Sequence, residues 1–117
     1  MTYVDGFVLS VPKDKVDLYR KAALSGAELW KENGALSVVE CLADDVPYGE
    51  VTSFPRAVMA GDDEVVIFSW ITYPSREVRD AANAKVMADP RMCEAMGQIP
   101  VDGRRMIFGG FTTLFEA

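Results

Sequence analysis

Two carboxylates in the sequence have neighbours that favour acid–base chemistry. Asp5 interrupts an apolar run in residues 3–10, and Glu40 interrupts another in residues 35–43. A carboxylate set in an apolar wall has a raised pKa, which suits it to act as a general acid or base. The alternative is that each is a hydrogen-bonded structural group or lies at a rim. Asp5 and Glu40 are therefore candidate catalytic residues, and one sequence does not say whether they share a face.

Several other catalytic chemistries are excluded by composition. The sequence contains no histidine, which removes His-based acid–base catalysis, Ser–His and Cys–His nucleophiles, and His-ligated haem or zinc. Two cysteines, Cys41 and Cys93, cannot form a Cys₄ zinc site, and no C-x-x-C motif is present. We therefore expect free thiols, a cytoplasmic location, and neither a metal site nor a cofactor.

Four further side chains are candidate ligand-binding residues: Trp30, Phe54, Arg56 and Trp70. Trp70 lies in an apolar strand, where its indole N–H needs a partner, and this favours a place in a cavity wall. Arg56 lies in a loop, where a guanidinium can bind a carboxylate or phosphate with two parallel hydrogen bonds. The alternative is structural: the tryptophans pack in the core, Phe54 fixes the loop, and Arg56 pairs with Asp44 or Asp45.

The hydrophobic pattern predicts the elements that must position these residues. Strands are predicted at residues 3–10, 35–43, 64–73 and 104–115. A first helix runs from Pro12 to Asn33-Gly34, and a second starts at the N-cap Ser75 and ends before Pro90. A short turn or helix follows at residues 91–96. Residues 44–63 form a polar insert, in which residues 51–60 are at best an edge strand because Pro55 interrupts them.

This order, β-α-β, an insert, and β-α-β, predicts an α+β fold of the ferredoxin-like type. Such a fold has a four-stranded antiparallel sheet with both helices on one face. The strands other than the second are apolar on both sides, so the face that the helices do not reach needs cover from outside the chain. A second copy of the chain is the simplest cover, and we therefore expect a homodimer.

Length and charge limit the remaining possibilities. The chain has 117 residues, half of them hydrophobic, and a net charge of −6, which is typical of one globular domain spanning residues 1–117. The acidic charge disfavours nucleic acid and anionic membranes as partners, and no apolar run is long enough to span a membrane. The Gly109-Gly110 pair lacks phosphate-loop spacing, so we interpret it as close backbone packing or a bulge.

Several motifs resemble those of the YbaA-like family of small bacterial proteins. They are YVDGFVLSVPKD, GALSVVEC, DDVPYGEVTSFPRAV, EVVIFSWITYPSR, NAKVMADPRM and DGRRMIFGGF, which together cover nearly the whole chain. The resemblance implies a dimeric α/β barrel, in which two ferredoxin-like subunits press their open sheet faces together. The family is a domain of unknown function, so the resemblance implies a fold and no reaction.

We interpret the protein as a cytoplasmic homodimer that binds a small, partly apolar organic molecule. Catalysis that needs neither metal nor cofactor is left open. We expect the ligand site between the sheet and the first helix or at the barrel mouth, where Trp30, Phe54, Arg56 and Trp70 could converge. The alternative is a non-catalytic structural or partner-binding dimer whose barrel is filled by side chains. A cavity of ~300 Å³ or more with a few polar groups favours the first interpretation.

Overall fold

Four strands and four helices alternate along residues 2–117, the part of the chain that the computed structural model describes. The strands are β1 (Tyr3–Pro12), β2 (Ser37–Leu42), β3 (Glu64–Tyr73) and β4 (Ile107–Thr112). The helices are α1 (Val16–Glu32), α2 (Phe54–Ala57), α3 (Arg76–Ala88) and α4 (Pro90–Gln98), and a 3₁₀ turn, Lys13–Lys15, precedes α1.

The strands form one antiparallel sheet in the order β2-β3-β1-β4. The two β-α-β units therefore interleave, with β1 and β3 at the centre and β2 and β4 at the edges. This arrangement confirms the predicted α+β class and the four-stranded antiparallel sheet. The third predicted strand is observed at its predicted bounds, whereas the fourth is shorter because residues 102–105 form a turn held by Asp102.

The core lies between the helices and one face of the sheet. Leu9, Ile67, Ile71 and Tyr73 are buried on this helix face, as the period-2 alternation of a strand requires. From α1, the residues that the structure buries recur at helical spacing: Tyr19, Ala22, Gly26 and Leu29. The helix α4 adds Met92 and Ala95 to this layer, so it covers α1 and the sheet together.

The opposite face of the sheet, here called the open face, is covered only at one end. Its residues, read from the strand register, are Val4, Gly6, Val8, Ser37, Val39, Cys41, Phe68, Trp70, Thr72, Ile107, Gly109 and Phe111. Three of its large apolar side chains are exposed: Phe68 by 43%, Ile107 by 46% and Phe111 by 63%. Exposed apolar area of this extent on a regular sheet is typical of an interaction surface.

The insert differs from its predicted conformation. Residues 51–60 were expected to be extended, but Phe54–Ala57 form one helical turn, α2. The Ser53 hydroxyl accepts a hydrogen bond from the Arg56 N–H, and Pro55 fits the first turn, where its missing N–H costs nothing. The insert then buries Val58 completely against Val8 and Val66, which covers one end of the open face.

Two helix boundaries follow the predicted capping residues. The Ser75 hydroxyl accepts from the Val78 N–H at 3.3 Å, which confirms it as the N-cap of α3. Gly34 follows α1 with φ +116°, and a Cβ there would lie 2.7 Å from the Val78 side chain. A glycine at this position therefore both ends α1 and lets α3 approach closely.

Candidate functional site

Two adjoining cavities lie between α1 and the helix face of the sheet. The first, here the α4 cavity, has a volume of about 250 Å³, is partly open to solvent, and is lined by residues of β1, β2, β3, α1, α3 and α4 and of the segment 99–106. The second, here the β2 cavity, has a volume of about 270 Å³ and lies between α1 and the edge strand β2. Their walls share five residues: Tyr19, Ala23, Ala27, Val38 and Glu40. Tyr19 and Glu40 therefore stand where the two cavities meet.

Tyr19 and Glu40 form the principal polar contact of these walls. Tyr19 is buried on the inner face of α1, and its hydroxyl donates a 2.6 Å hydrogen bond to Oε1 of Glu40. Glu40 reaches it because β2 places Val38, Glu40 and Leu42 on the helix face. Although Glu40 is exposed as a whole residue, desolvation of its carboxyl raises its pKa and outweighs the lowering by the Tyr19 hydrogen bond. Burial, and then the neighbouring Glu40 carboxylate, raise the pKa of Tyr19, so this phenol remains protonated.

A buried serine completes the polar group. Ser69 lies directly opposite Glu40 in the β2–β3 ladder, and both side chains line the α4 cavity. Ser69 is a buried residue, and it brings a second hydroxyl to this cavity beside that of Tyr19. Cross-strand partners in an antiparallel sheet have Cβ atoms about 4.5–5.5 Å apart, so a single small group can contact both side chains.

The rest of the α4 cavity is apolar. Its sulfur and aromatic lining residues are Met87, Met92, Met96, Met106, Phe7 and Trp30. No Lys or Arg side chain from the described residues lines it. Arg20 lines the β2 cavity, but it is exposed and pairs with Asp17 at 2.7 Å. The α4 cavity is therefore an apolar space with a carboxylate and two hydroxyls at one side.

The four ligand-binding candidates do not converge. Trp30 lines the α4 cavity on the helix side of the sheet. Trp70 lies on the open face, where its ring contacts Phe68 with a centroid separation of 5.5 Å, and Phe54 contacts Phe68 at 5.7 Å. The sheet separates Trp30 from the other aromatic residues, because alternate residues of β3 point to opposite faces.

Arg56 is engaged by its own insert. Its guanidinium lies 3.9 Å from the centre of the Tyr48 ring, and it donates hydrogen bonds of 3.0 Å to the carbonyl oxygens of Tyr48 and Gly49. Gly49 has φ +69°, and a Cβ there would lie 2.5 Å from the Thr52 carbonyl oxygen. Arg56 therefore fixes the loop ahead of α2 rather than pairing with Asp44 or Asp45.

Asp5 and Glu40 share the helix face, since Asp5 and Val38 both pair with Ile71 in the sheet. They do not share a cavity, because Asp5 is enclosed by α3. Its Oδ1 lies 3.1 Å from Nε of Arg79, with both side chains largely buried. Desolvation raises the pKa of Asp5, and the nearby guanidinium partly opposes this. Asp5 therefore forms an ion pair with Arg79.

Gly110 makes room for that ion pair. A Cβ at this position would lie 2.0 Å from Nη2 of Arg79 and 2.3 Å from the Tyr3 hydroxyl. Arg79 Nη2 donates a 3.0 Å hydrogen bond to that hydroxyl, so Tyr3 and Arg79 cross directly over the glycine. The interpretation of Gly109-Gly110 as close backbone packing is confirmed at Gly110.

In residues 2–117, no group of three or more His, Cys, Asp or Glu side chains is arranged to hold a metal ion. Cys41 and Cys93 are both free, and Cys93 is exposed. The helices of this part of the chain include none that is long and apolar enough to cross a membrane.

Sequence comparison places the chain in a family. Residues 2–103 match the model described as "Protein of unknown function (DUF1428)". The chain belongs to this family. It is also 59% identical over 116 residues to the uncharacterized protein YbaA of Escherichia coli (strain K12), with 99% of each chain covered. The resemblance to YbaA-like proteins is thereby confirmed.

Solved structures show the fold of this DUF1428 chain. A dimeric ferredoxin-like protein from an uncultured marine organism aligns with a TM-score of 0.64 and 10% identity, covering 99% of this chain and 98% of that one. A putative antibiotic biosynthesis monooxygenase from Nitrosomonas europaea aligns with a TM-score of 0.57 and 13% identity, covering 97% and 91%. At these identities the likeness is one of fold alone.

Sequence reasoning missed several residues of the site in this DUF1428 chain. Tyr19 recurs at helical spacing with other apolar residues of α1, so it reads as a core residue, and Ser69 is a small polar residue within an apolar strand. The methionines come from α3, α4 and the segment before β4, which are separate in sequence. The pairing of Ser69 with Glu40 would have indicated the site, but it follows from the strand register, which the sequence alone does not give.

Proposed function

We propose that this protein is a homodimer that binds a small, largely apolar organic molecule in the α4 cavity. The observation that supports this most strongly is the cavity itself, with Tyr19, Glu40 and Ser69 at one side and apolar side chains elsewhere. Small-molecule sites are typically apolar pockets with a few well-placed polar groups. We also propose a cytoplasmic location, because both cysteines are free thiols.

The size of the site supports a small ligand. The α4 cavity, at about 250 Å³, does not reach the ~300 Å³ named above, which is the lower end of known ligand pockets, so it suits only a small ligand. It adjoins the β2 cavity across Tyr19 and Glu40, which are hydrogen-bonded to each other between the two spaces. The site therefore suits one or two rings rather than a large cofactor.

The proposed dimer rests on the open face. A second copy related by two-fold symmetry would cover the exposed Phe68, Ile107 and Phe111 with the same surface of its own sheet. A dimeric ferredoxin-like protein among the fold-level neighbours supports this arrangement for the fold. In such a dimer the α4 cavity stays on the outer, helix side, so each subunit keeps its own site.

The second candidate is a structural or partner-binding dimer without a ligand. The cluster of aromatic residues Phe54, Phe68 and Trp70 on the open face favours it, because these side chains can fill the space between two sheets. The two candidates differ in the α4 cavity and not in the dimer. Ligand binding on the helix side therefore separates them.

Titration with naphthalene, followed by isothermal titration calorimetry, tests the proposed function. Ala27 lines both cavities, so Ala27→Phe fills the space where they meet. Ala81 is exposed on α3, so Ala81→Phe adds the same ring without entering the cavity. We expect wild type and Ala81→Phe to bind naphthalene and Ala27→Phe to bind about tenfold more weakly or not at all. Equal binding by all three proteins, or none by any, would contradict the proposed site.

A further inference from the structure

The Glu40 carboxylate has an unused hydrogen-bond acceptor at the α4 cavity. Oε1 accepts from Tyr19, and within the described chain no protein group donates to Oε2. Opposite it in the sheet, Ser69 brings a hydroxyl group to the same cavity. A hydroxyl group both donates and accepts, so one hydroxyl can satisfy the two sites together. The Glu40 carboxylate and the Ser69 hydroxyl thus match a single ligand hydroxyl group.

The charge of the cavity disfavours an anion. Glu40 supplies the formal charge of the α4 cavity, and no Lys or Arg among residues 2–117 lines it. An anionic ligand would lie against this carboxylate without a counter-ion, which is costly in an apolar space. A cation would gain attraction from Glu40 but would lose its hydration against walls of methionine and aromatic carbon. A neutral ligand avoids both costs.

The apolar walls favour an aromatic ligand. Four methionines and the rings of Phe7 and Trp30 line the cavity. Methionine sulfur makes favourable contacts with aromatic rings, and its flexible chain adapts to a planar molecule. A dry cavity of roughly 150 Å³ holds benzene. The α4 cavity, at about 250 Å³, therefore has room for two fused rings.

We propose that the α4 cavity binds a neutral aromatic compound bearing a hydroxyl group, which donates to Oε2 of Glu40 and accepts from Ser69. This inference rests on the proposed function and specifies its ligand class. Tyr19 is a positioning residue in this arrangement. Its hydrogen bond holds the carboxylate toward the cavity, and its phenol stays protonated because burial raises its pKa.

Four probes that share a naphthalene ring test the ligand class at neutral pH: naphthalene, 1-naphthol, 1-naphthoate and 1-naphthylmethylammonium. One hydrogen bond to a charged acceptor contributes about 1.4 kcal/mol or more, so 1-naphthol should bind about tenfold more tightly than naphthalene. The anion should bind most weakly. If 1-naphthol bound no better than naphthalene, or if either charged probe bound more tightly than 1-naphthol, the inference would be overturned.

Variants of the two strands test the residues. Glu40→Gln should remove the preference for 1-naphthol over naphthalene, and it should improve 1-naphthoate binding because the repulsion is lost. Ser69→Ala, which changes one oxygen, should reduce the same preference by a smaller factor. Glu28→Gln, on the exposed side of α1, is the matched control and should change nothing. If both Glu40→Gln and Ser69→Ala kept the wild-type preference for 1-naphthol over naphthalene, the inference would be overturned.

Tyr19→Phe tests the positioning role separately. We expect it to reduce the ratio of 1-naphthol affinity to naphthalene affinity, because the ring that lines the cavity remains but the carboxylate loses the hydrogen bond that holds it. An unchanged preference would remove Tyr19 from the arrangement. If none of the four probes bound wild type, the proposed function itself would fail; if naphthalene bound without discrimination, only the ligand class would fail.

Discussion

Tyr19 and Glu40 join the first helix to an edge strand through a single 2.6 Å hydrogen bond. The donor comes from the buried face of α1 and the acceptor from the helix face of β2, and both residues border the two cavities. This bond therefore links the helix to the sheet at the place where the two cavities meet. The same contact therefore contributes to the stability of the fold and to the shape of the site.

Removing that hydrogen bond should destabilise the protein measurably. Tyr19→Phe should lower the free energy of unfolding by about 1–2 kcal/mol, since the lost bond has a charged but partly solvated acceptor. The control is Tyr48→Phe, because Tyr48 is 60% exposed in the insert. Urea unfolding followed by circular dichroism checks both variants. Equal stabilities for the two variants would contradict this role for Tyr19.

The buried ion pair of Asp5 and Arg79 carries a stronger prediction. Arg79→Met leaves Asp5 buried without its partner, which should cost about 3–5 kcal/mol at neutral pH. Removing both charges, in Asp5→Asn with Arg79→Met, should cost less than Arg79→Met alone. Urea unfolding of the double-mutant cycle measures this, and additive losses would show that the two groups do not interact.

The same variant predicts a pH dependence with a definite sign. Burial raises the pKa of Asp5 in the folded protein, and Arg79 partly lowers it, so Arg79→Met raises that pKa further. A group with a raised folded pKa favours the folded state when it is protonated. The deficit of Arg79→Met relative to wild type should therefore shrink as the pH falls through the pKa of Asp5. A deficit that grows over that range would be the contrary result.

Glu64 and Arg105 hold the segment that covers the α4 cavity. Arg105 donates two hydrogen bonds of 2.8 Å to the Glu64 carboxylate, and residues 99–106 follow α4 across the cavity. These bonds, with that from the Gly61 N–H, lower the pKa of Glu64 to about 2. The carboxylate therefore stabilises the fold above its ordinary pKa of 4.5, and this contribution is lost as the pH falls toward about 2.

Glu64→Gln should accordingly be less stable than wild type at neutral pH and should approach wild type in acid. Thermal unfolding at a series of pH values measures the difference between the two proteins. Glu28→Gln, at an exposed position of α1 that forms no ion pair in the described chain, is the control and should follow wild type throughout. A difference between Glu64→Gln and wild type that is constant with pH would contradict the assignment.

The proposed dimer has a matched pair of test residues on β4. Phe111 lies on the open face and Phe108 on the helix side, and they are exposed by 63% and 69%. Light scattering of wild type should give about twice the 12.9 kDa chain mass. Phe111→Asp should give the mass of one chain, and Phe108→Asp should leave the dimer intact. A folded wild-type monomer would exclude the proposed assembly.

Much of the fold could be predicted from local patterns. The alternation in β3 and the cap at Ser75 depend on neighbouring residues, and both are observed. The insert was harder, because Ser53 and Pro55 start a helical turn that only four residues complete. Short elements of this kind depend on tertiary packing, here the burial of Val58 against the sheet.

The site was less predictable than the fold. Glu40 could be selected because a carboxylate in an apolar strand is unusual, but its partners Tyr19 and Ser69 come from other elements. Their proximity follows from the strand register and the helix position, which no local pattern specifies. For Trp30 and Trp70 the opposite holds: the sequence predicts that they converge on one site, but the sheet separates them.

The two tryptophans provide the most direct test of ligand binding on the helix side. The chain has only these two, and Trp30 lines the α4 cavity whereas Trp70 lies on the open face. Trp70→Phe and Trp30→Phe each leave one indole, whose fluorescence is followed during titration with 1-bromonaphthalene, a heavy-atom quencher that acts on contact. The proposed site predicts saturable quenching of Trp30 in Trp70→Phe and none of Trp70 in Trp30→Phe. Quenching of Trp70 alone, or of neither indole, would contradict it.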